Sequence, residues 1–243
     1  MSAPANPFIK NLAANDRPTR DAALSSLQSY LSSRSSLTTA EHLQIWRGLF
    51  YSMYHCDRPR PQQALASSLA SLISILPNAA SSLKFQRAFW TTMCQQWDRI
   101  DVLRLDKYLL LVRRFVGAGM RWAVKEKVID EWVKSVQDEG LAPLEVKEKK
   151  VPTGLRLHVL DVWVDEIEKL ELVEDEEKVR EMLLGPVETL AKDGFMKAWR
   201  NRAKETLADD RVKEWRGEPV GERKSTEDGD DGESEEEWGG CTN

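Results

Sequence analysis

Cysteine is scarce in this sequence, and no long apolar run occurs. The 243 residues include three cysteines, Cys56, Cys94 and Cys241, and no two of them form a CxxC pair. A disulfide-stapled scaffold and a cysteine-based zinc site are therefore excluded, and the low count fits a reducing compartment. No run approaches the roughly 18 apolar residues that cross a bilayer, and the N-terminus lacks the basic start and apolar stretch of a secretory signal. We expect an intracellular protein without a membrane segment.

The usual signatures of enzymes and metalloproteins are also missing. His42, His55 and His158 have no second histidine or cysteine at a metal-ligand spacing. The sequence has no GxxxxGK[ST] loop and no strand followed by GxGxxG, so neither phosphate-binding signature is present. Carboxylate pairs such as Asp165 and Glu168 occur among lysines, which is typical of a solvated helix face. We predict a non-enzymatic protein with no metal, no cofactor and no small-molecule substrate.

Charge is distributed unevenly along the chain. Residues 1–125 contain 16 Lys and Arg against 7 Asp and Glu, a net charge of about +9. Residues 126–217 carry about −6 and residues 218–243 about −8, which accounts for the total of −5. A basic N-terminal half predicts that the chain meets a polyanion, or an acidic protein surface, through that half.

The apolar residues indicate helices throughout. They recur at spacings of three and four, and no segment shows sustained strand-like alternation. Helical segments that begin near residues 18, 60, 100 and 152 predict hairpins with a period of about 40 residues, as in HEAT-type repeats. Such hairpins bury their apolar stripes by stacking on one another. We therefore predict an all-α fold, a short α-solenoid of stacked HEAT-like antiparallel helical hairpins, with an irregular helical bundle as the alternative.

Residues 1–217 are predicted to form the helical-repeat domain, with a short first helix over about residues 7–14. Gly117-Ala118-Gly119 is expected to break the chain between two helices, since glycine weakens a helix interior. An exposed charged loop is expected at about residues 140–153, where prolines flank a run of Lys and Glu. Residues 218–243 are glycine-rich, acidic and almost free of apolar residues, which predicts a disordered acidic tail.

The basic half supplies candidate binding residues. Two of them flank the apolar stripe of the helix that begins near residue 38, two follow in the next loop, and three fall opposite the buried face of the helix over residues 100–116. Arginine suits contact with phosphate as well as stacking on bases. Ordinary solvated charge is the alternative for each single residue. The predicted RNA-binding or partner-binding residues, along one edge of the solenoid, are Arg47, Tyr51, Arg58, Arg60, Lys107, Arg113 and Arg114.

Two further features concern packing. Arg104 lies near the apolar edge of its helix, so we expect a partly buried guanidinium held by a carboxylate such as Asp101. Ser67, Ser71 and Ser74 form a ridge of small side chains, which would allow a neighbouring helix to approach closely.

In the predicted tail, Trp238 could serve as a short anchor for another protein.

Several sequence blocks occur in a specific order and separation. They include residues 8–13, Trp46-Arg47-Gly48-Leu49-Phe50-Tyr51 followed by Asp57-Arg58-Pro59, Phe89-Trp90, and Leu103-Arg104-Leu105-Asp106-Lys107-Tyr108. Together these blocks closely resemble the ribosomal RNA-processing protein 1 family of eukaryotic nucleolar proteins. The resemblance covers about residues 7–215.

The resemblance implies a non-enzymatic assembly factor of the large (60S) ribosomal subunit, located in the nucleolus and nucleus and needed for precursor rRNA processing. It implies a helical scaffold on pre-60S particles, whose partners are precursor large-subunit rRNA, other pre-60S assembly factors and ribosomal proteins. Family members commonly continue into a lysine-rich C-terminal extension, whereas this chain ends acidic and short. The residues leave a second hypothesis open, a helical-repeat adaptor that binds only acidic protein partners without direct RNA contact.

Overall fold

The computed structural model of this chain describes residues 11, 14, 16–34, 36–137, 140–172 and 175–219. These residues form helices and turns and contain no strand. Within them, no helix combines the length and the apolar character that a bilayer crossing requires. The predicted short first helix and most of the predicted acidic tail, including Trp238, lie outside the described residues.

The described residues contain ten α-helices, and short 3-10 turns follow the third (Leu72–Ile75) and the fourth (Trp97–Arg99). Helices that begin at residues 17, 59, 102 and 153 open successive pairs, which confirms the predicted hairpin period. The helices are α1 (Arg17–Ser33), α2 (Thr39–Tyr54), α3 (Pro59–Ser71), α4 (Ala79–Gln96), α5 (Val102–Lys125), α6 (Ile129–Gln137), α7 (Thr153–Glu168), α8 (Glu176–Asp193), α9 (Lys197–Leu207) and α10 (Asp210–Trp215).

Local side-chain chemistry explains where the first helices begin. The Asp16 side chain accepts a hydrogen bond from the Thr19 amide at 2.9 Å and caps α1. Thr38 and Glu41 form a reciprocal capping box at the start of α2. Each cap satisfies amide groups that have no partner inside the helix, which is worth about 1 kcal/mol. The helix starts are therefore determined by residues close to them in the sequence.

Helices two apart in the chain pack side by side and form two layers. One layer contains α3, α5, α7 and α9, and the other contains α2, α4, α6 and α8. Each hairpin contributes one helix to each layer, so its apolar stripe is covered by the next hairpin, as in other α-solenoids. The structure thus confirms the predicted all-α solenoid of stacked helical hairpins.

A continuous apolar core runs between the two layers, from Ala23 in α1 to Val212 in α10. In its N-terminal part, the Trp46 ring contacts Phe85 and Phe89 at centroid distances of 4.9 and 4.8 Å. The Trp46 indole N–H donates to the backbone oxygen of Phe85 at 2.9 Å, so its polar atom is also satisfied. Burying each large apolar side chain stabilises the folded state by on the order of 1.5–3 kcal/mol. This packing holds the N-terminal helices in position.

The predicted helix break at Gly117-Ala118-Gly119 is wrong, because α5 continues through all three residues. A Cβ atom at Gly117 would lie 2.2 Å from a carboxylate oxygen of Glu166, and one at Gly119 would lie 2.8 Å from the indole nitrogen of Trp132. Glycine is therefore required for close approach of neighbouring side chains. Packing against those neighbours outweighs the roughly 1 kcal/mol that each glycine costs a helix interior.

The segment at residues 140–152 has no helix, as predicted, but it is only partly exposed. Leu144 and Val151 are buried in it, while its lysines are exposed. The fully buried Arg156 on α7 donates hydrogen bonds to backbone oxygens of this segment, and its guanidinium carbon lies 3.8 Å from the ring centroid of Trp199. Burial lowers the pKa of Arg156 to about 10. This arginine attaches the loop to the core.

Candidate functional site

An exposed stripe runs along α2 and into the loop that follows it. Arg47, Tyr51 and His55 are exposed at intervals of four residues, which places them on one face of successive turns, while most of α2 is buried. Arg58 follows as the exposed N-terminal cap of α3. We call Arg47, Tyr51, His55 and Arg58 the α2 stripe. It brings together three of the seven predicted binding residues.

Tyr51 is the exposed aromatic residue of the α2 stripe. Its side chain is 47% exposed, and its ring meets Phe50 and Tyr54 edge-on at 5.6 and 6.4 Å. The Arg104 guanidinium in turn lies 4.4 Å from the Tyr54 ring centroid. Neighbouring rings therefore hold Tyr51 in place while part of its own ring remains accessible, an arrangement on which a nucleic-acid base can stack.

The end of the α2 stripe adjoins a concave surface of about 300 Å³, which we call the N-terminal corner. Arg17 and Arg20 of α1 line it together with His55, Asp57 and Arg58. Arg17 is also paired with Asp21 at 3.2 Å, so three arginines near two aspartates leave a small net positive charge, which attracts anions. Sequence reasoning missed the α1 arginines, although their three-residue spacing places both on one face of the helix.

Four of the predicted binding residues carry charge that no described residue neutralises. All four are exposed, and none of their side chains forms an ion pair or hydrogen bond within the described part of the chain. An exposed guanidinium without a partner can bind an external anion without first losing an internal one. The four residues are Arg47, Arg58, Arg60 and Arg114.

The C-terminal half differs, because its arginines are largely paired. Arg211 donates to Asp165 and Glu168, and its guanidinium also lies 2.8 Å from Asp209. Arg202 pairs with Asp161 at 2.6 Å. Other pairs at this end join Arg216 to Glu181 and Glu188, Arg180 to Glu176, and Lys213 to Asp210. Much of the positive charge of this half is therefore compensated internally.

The predicted solvent-facing position of Lys107 is wrong. Its side chain is buried, with 5% exposed, and its ammonium donates to the backbone oxygens of Tyr54 and Cys56 at 2.7 and 2.9 Å. Tyr54 is the last residue of α2, where helix carbonyls lack intrahelical partners, and Cys56 lies in the loop that follows. Burial lowers the pKa of Lys107. Its position indicates a structural cap and gives no support to a binding role.

Arg113 is likewise not on a free solvent-facing surface, contrary to the prediction from the helical wheel. It donates to Glu166 and Asp165 on α7, both at 2.9 Å, and so joins α5 to α7. Glu166 is buried, with 2% exposed, and it also accepts from Lys169 at 2.6 Å. Removing Arg113 would leave a buried carboxylate with less compensation, which is costly.

Arg104 pairs with Asp101 at 2.6 Å, which confirms the predicted partner. Its side chain is 36% exposed and that of Asp101 is 39% exposed, so water screens the pair. Such exposed pairs contribute up to about 1 kcal/mol. The main contribution of Arg104 is therefore to cover the Tyr54 ring beside the α2 stripe.

The described residues contain no cluster of three or more His, Cys, Asp or Glu side chains suited to a metal ion. Burial raises the pKa of Cys94 to about 12, so this thiol stays protonated and is a poor nucleophile. Burial also lowers the pKa of His42 and His158. The exposed arginines and Tyr51 are instead suited to electrostatic contact with phosphate and to stacking on bases.

Comparison with known proteins shows similarity over nearly the whole chain. The family model described as "Nucleolar protein, Nop52" matches residues 3–240. Similar proteins include ribosomal RNA processing protein 1 homolog B of Homo sapiens, 33% identical over 168 residues, and homolog A of Mus musculus, 33% identical over 173 residues. The Drosophila melanogaster homologue is 31% identical over 167 residues. Each match covers 67% of this chain but only 22%, 34% and 24% of these three relatives, respectively.

Proposed function

Because the chain belongs to the Nop52 family of nucleolar proteins, we propose that it is a non-enzymatic assembly factor of the large (60S) ribosomal subunit. In this proposal it acts in the nucleolus and nucleus as a helical scaffold on pre-60S particles. Its partners are precursor large-subunit rRNA, other assembly factors and ribosomal proteins. The names of its relatives, ribosomal RNA processing protein 1 homologues, support a role in processing precursor rRNA.

The observation that carries this proposal is the concentration of unpaired arginines on the N-terminal half. Arg47 and Arg58 of the α2 stripe, and Arg60 beside it, are exposed and unpaired within the described residues. Contacts of Lys and Arg with phosphate supply most of the non-specific affinity for nucleic acids. The paired arginines of the C-terminal half would have to break internal ion pairs to make the same contacts. We therefore assign the RNA-binding surface to the α2 stripe and to Arg60 beside it.

Tyr51 favours RNA over an acidic protein as the partner of this surface. Stacking of a base on an aromatic side chain contributes about 1–3 kcal/mol, whereas an acidic peptide needs only the positive charges. Sequence-specific RNA recognition mostly targets single-stranded segments, whose bases are free to stack. We therefore expect an unpaired segment of precursor rRNA to lie along the α2 stripe, with its phosphates on the arginines and a base on Tyr51.

The test compares two triple variants of equal charge change. The stripe variant carries Arg47→Glu, Arg58→Glu and Arg60→Glu, and the control carries Lys192→Glu, Lys197→Glu and Lys204→Glu, three exposed lysines of the C-terminal half. Binding of a single-stranded precursor-rRNA segment is measured by fluorescence anisotropy across a salt series. We expect at least about tenfold weaker binding for the stripe variant and a salt slope shallower by about 2, since each lost phosphate contact removes roughly 0.7.

Equal weakening in both triple variants would show that net charge alone drives binding and would overturn the assignment to the α2 stripe. An absence of RNA binding by the unmodified protein, combined with stripe-dependent binding of an acidic peptide, would favour the adaptor hypothesis. Tyr51→Ala separates stacking from charge. We expect it to weaken RNA binding by about 1–3 kcal/mol without changing the salt slope.

A further inference from the structure

A second basic surface lies outside the α2 stripe, in a groove between α3 and α5 of about 270 Å³. Its apolar lining consists of the small side chains of Ala70 and Ala118 and the ring of Trp122. The predicted serine ridge is exposed along this groove, so α5 lies beside the serines without covering them. The polar lining residues of this α3–α5 groove are Ser67, Ser71 and Ser74 on one side and Arg114, Arg121 and Lys125 on the other.

The polar groups of the α3–α5 groove suit an anion. Three cations and three hydroxyls line it, and among the described residues no carboxylate does so. Arg114 and Lys125 form no ion pair within the described residues. Arg121 lies 3.9 Å from Glu166, a carboxylate that already accepts from Arg113. Acidic side chains of the described residues therefore neutralise little of the positive charge in the groove.

The spacing of the cations suits an extended anion. Arg114, Arg121 and Lys125 follow one another along α5, and the eleven steps from the first to the last correspond to about 16.5 Å at 1.5 Å per residue. A single phosphate group cannot reach all three side chains. A phosphodiester backbone presents a row of acceptor oxygens of one charge sign, which matches a row of donors.

An acidic protein segment fits this groove less well. Protein interfaces depend on a few apolar or aromatic residues that anchor the partner. The exposed large apolar side chains of the described residues are Tyr51, Val102, Leu103, Phe195 and Met196, and none of them lines the groove. A polyphosphate chain needs no such anchor, because its affinity comes from charge.

We propose that the α3–α5 groove is a second binding surface for the phosphodiester backbone of RNA, so that one molecule holds two RNA segments. This inference rests on the proposed function, since it adds a second surface to the one on the α2 stripe. Arg47 and Tyr51 of the α2 stripe lie on α2 in one layer, whereas the groove lies between α3 and α5 in the other, so most of the stripe and the groove are on different layers of the solenoid. The rigid core between the layers sets the distance between the two bound segments.

The experiment counts the RNA molecules bound per protein chain. The full chain is mixed with an excess of a labelled 12-nucleotide oligouridylate at low salt, and sedimentation equilibrium gives the mass of the complex. The groove variant carries Arg114→Glu and Lys125→Glu. Here the stripe variant carries only two substitutions, Arg47→Glu and Arg58→Glu. The control carries Lys192→Glu and Lys197→Glu. All six residues are exposed, and unchanged thermal unfolding midpoints establish that each variant is folded.

We expect two oligonucleotides per chain for the unmodified protein and the control, and one for the groove variant and for the stripe variant. One oligonucleotide per unmodified chain, or two on the groove variant, overturns the second surface. If RNA binding still depends on the α2 stripe in either case, the proposed function stands. If the unmodified protein binds no RNA, both proposals fail. Groove-dependent binding of oligoglutamate without groove-dependent RNA binding also overturns the inference.

Discussion

Lys107 and Arg114 lie about two turns apart on α5 and have different environments. Lys107 is buried and satisfies carbonyl groups at the end of α2, whereas Arg114 is exposed and lines the α3–α5 groove. A helical wheel places both away from the main apolar stripe. Their environments differ because the end of α2 and the loop that follows it cover α5 at Lys107.

The first prediction concerns Lys107→Met, which keeps most of the aliphatic stem and removes the ammonium group. Two backbone oxygens lose a charged donor, at Tyr54 and Cys56. We expect the free energy of unfolding to fall by about 2–3 kcal/mol, because hydrogen bonds from charged groups contribute about 1.5–3 kcal/mol. Chemical denaturation measures this loss. Lys125→Met, at an exposed position, is the control, and equal stabilities for the two variants would contradict the role assigned to Lys107.

The second prediction concerns His42, a fully buried imidazole whose two ring nitrogens have no hydrogen-bond partner among the described residues. Burial lowers the pKa of His42 below its ordinary value of 6.5. As the pH falls through 6.5, the unfolded chain binds a proton at His42 that the folded chain binds less readily. Stability therefore falls on acidification, by at most 1.36 kcal/mol per pH unit for this residue.

His42→Leu removes this contribution from the pH dependence. We expect the variant to be destabilised less than the unmodified protein between pH 7 and pH 5.5, as measured by urea denaturation at each pH. His158, whose pKa burial also lowers, remains in both proteins and supplies a shared background. Identical pH dependence in the two proteins would mean that His42 is protonated equally in the folded and unfolded states.

At the scale of secondary structure, α5 is the element that most connects the molecule. It packs beside α3 on one side and α7 on the other, and it carries the residues that hold the end of α2 and the buried carboxylate of Glu166. Gly117 makes the contact with α7 possible, because the Glu166 carboxylate occupies the place of a Cβ atom. The glycine in the middle of α5 therefore allows this uninterrupted helix to pack closely against the next hairpin.

The third prediction tests this contact with a double-mutant cycle. Gly117→Ala places a methyl group 2.2 Å from Glu166 and should destabilise the protein by about 1–3 kcal/mol, as overpacking does. In a Glu166→Ala background the obstacle is absent. There, Gly117→Ala should be neutral or should stabilise α5 by up to about 1 kcal/mol, the helix preference of alanine over glycine. The same destabilisation in both backgrounds, measured by denaturant unfolding, would exclude the proposed contact.

In the molecule as a whole, the charged side chains fall into two sets. One set is available to an external partner, and the other is neutralised by ion pairs within the protein. The basic N-terminal half exposes several arginines that have no partner among the described residues, whereas many arginines of the C-terminal half are held in ion pairs. Residues 220–243 add 9 Asp and Glu against 2 Lys and Arg. Their charge is opposite in sign to that of the basic half, so they oppose the approach of RNA through the field of the whole chain.

The fourth prediction concerns deletion of residues 220–243. Residues 220–243 contain few apolar residues, and the core of the described residues is complete without them, so we expect the midpoint of thermal unfolding to change by no more than about 2 °C. The net charge would rise from −5 to +2, which should strengthen RNA binding several-fold at low salt. The gain should shrink at about 0.5 M salt, where charges are screened. A drop of several degrees would show that the segment packs on the core.

Much of the fold was predictable because its signals are local. The spacing of apolar residues indicated the helices and the hairpin period, and the sequence blocks around Trp46 and Leu105 indicated the family. The candidate site was only partly predictable. Arg47, Tyr51 and Arg58 lie together on the α2 stripe, while Lys107 and Arg113 are engaged inside the protein.

The helical class and the division of charge were readable from the amino-acid sequence, since both depend on composition or on residues within a few turns of one another, and the order of the sequence blocks indicated the family. Which cations remain available to a partner depends instead on how the helices pack. Lys107 meets its partners 51 and 53 residues earlier in the chain, and Arg113 meets its partners 52 and 53 residues later. A helical wheel contains no information about such distant neighbours, and burial beside them decides whether a charge binds the protein itself or an external anion.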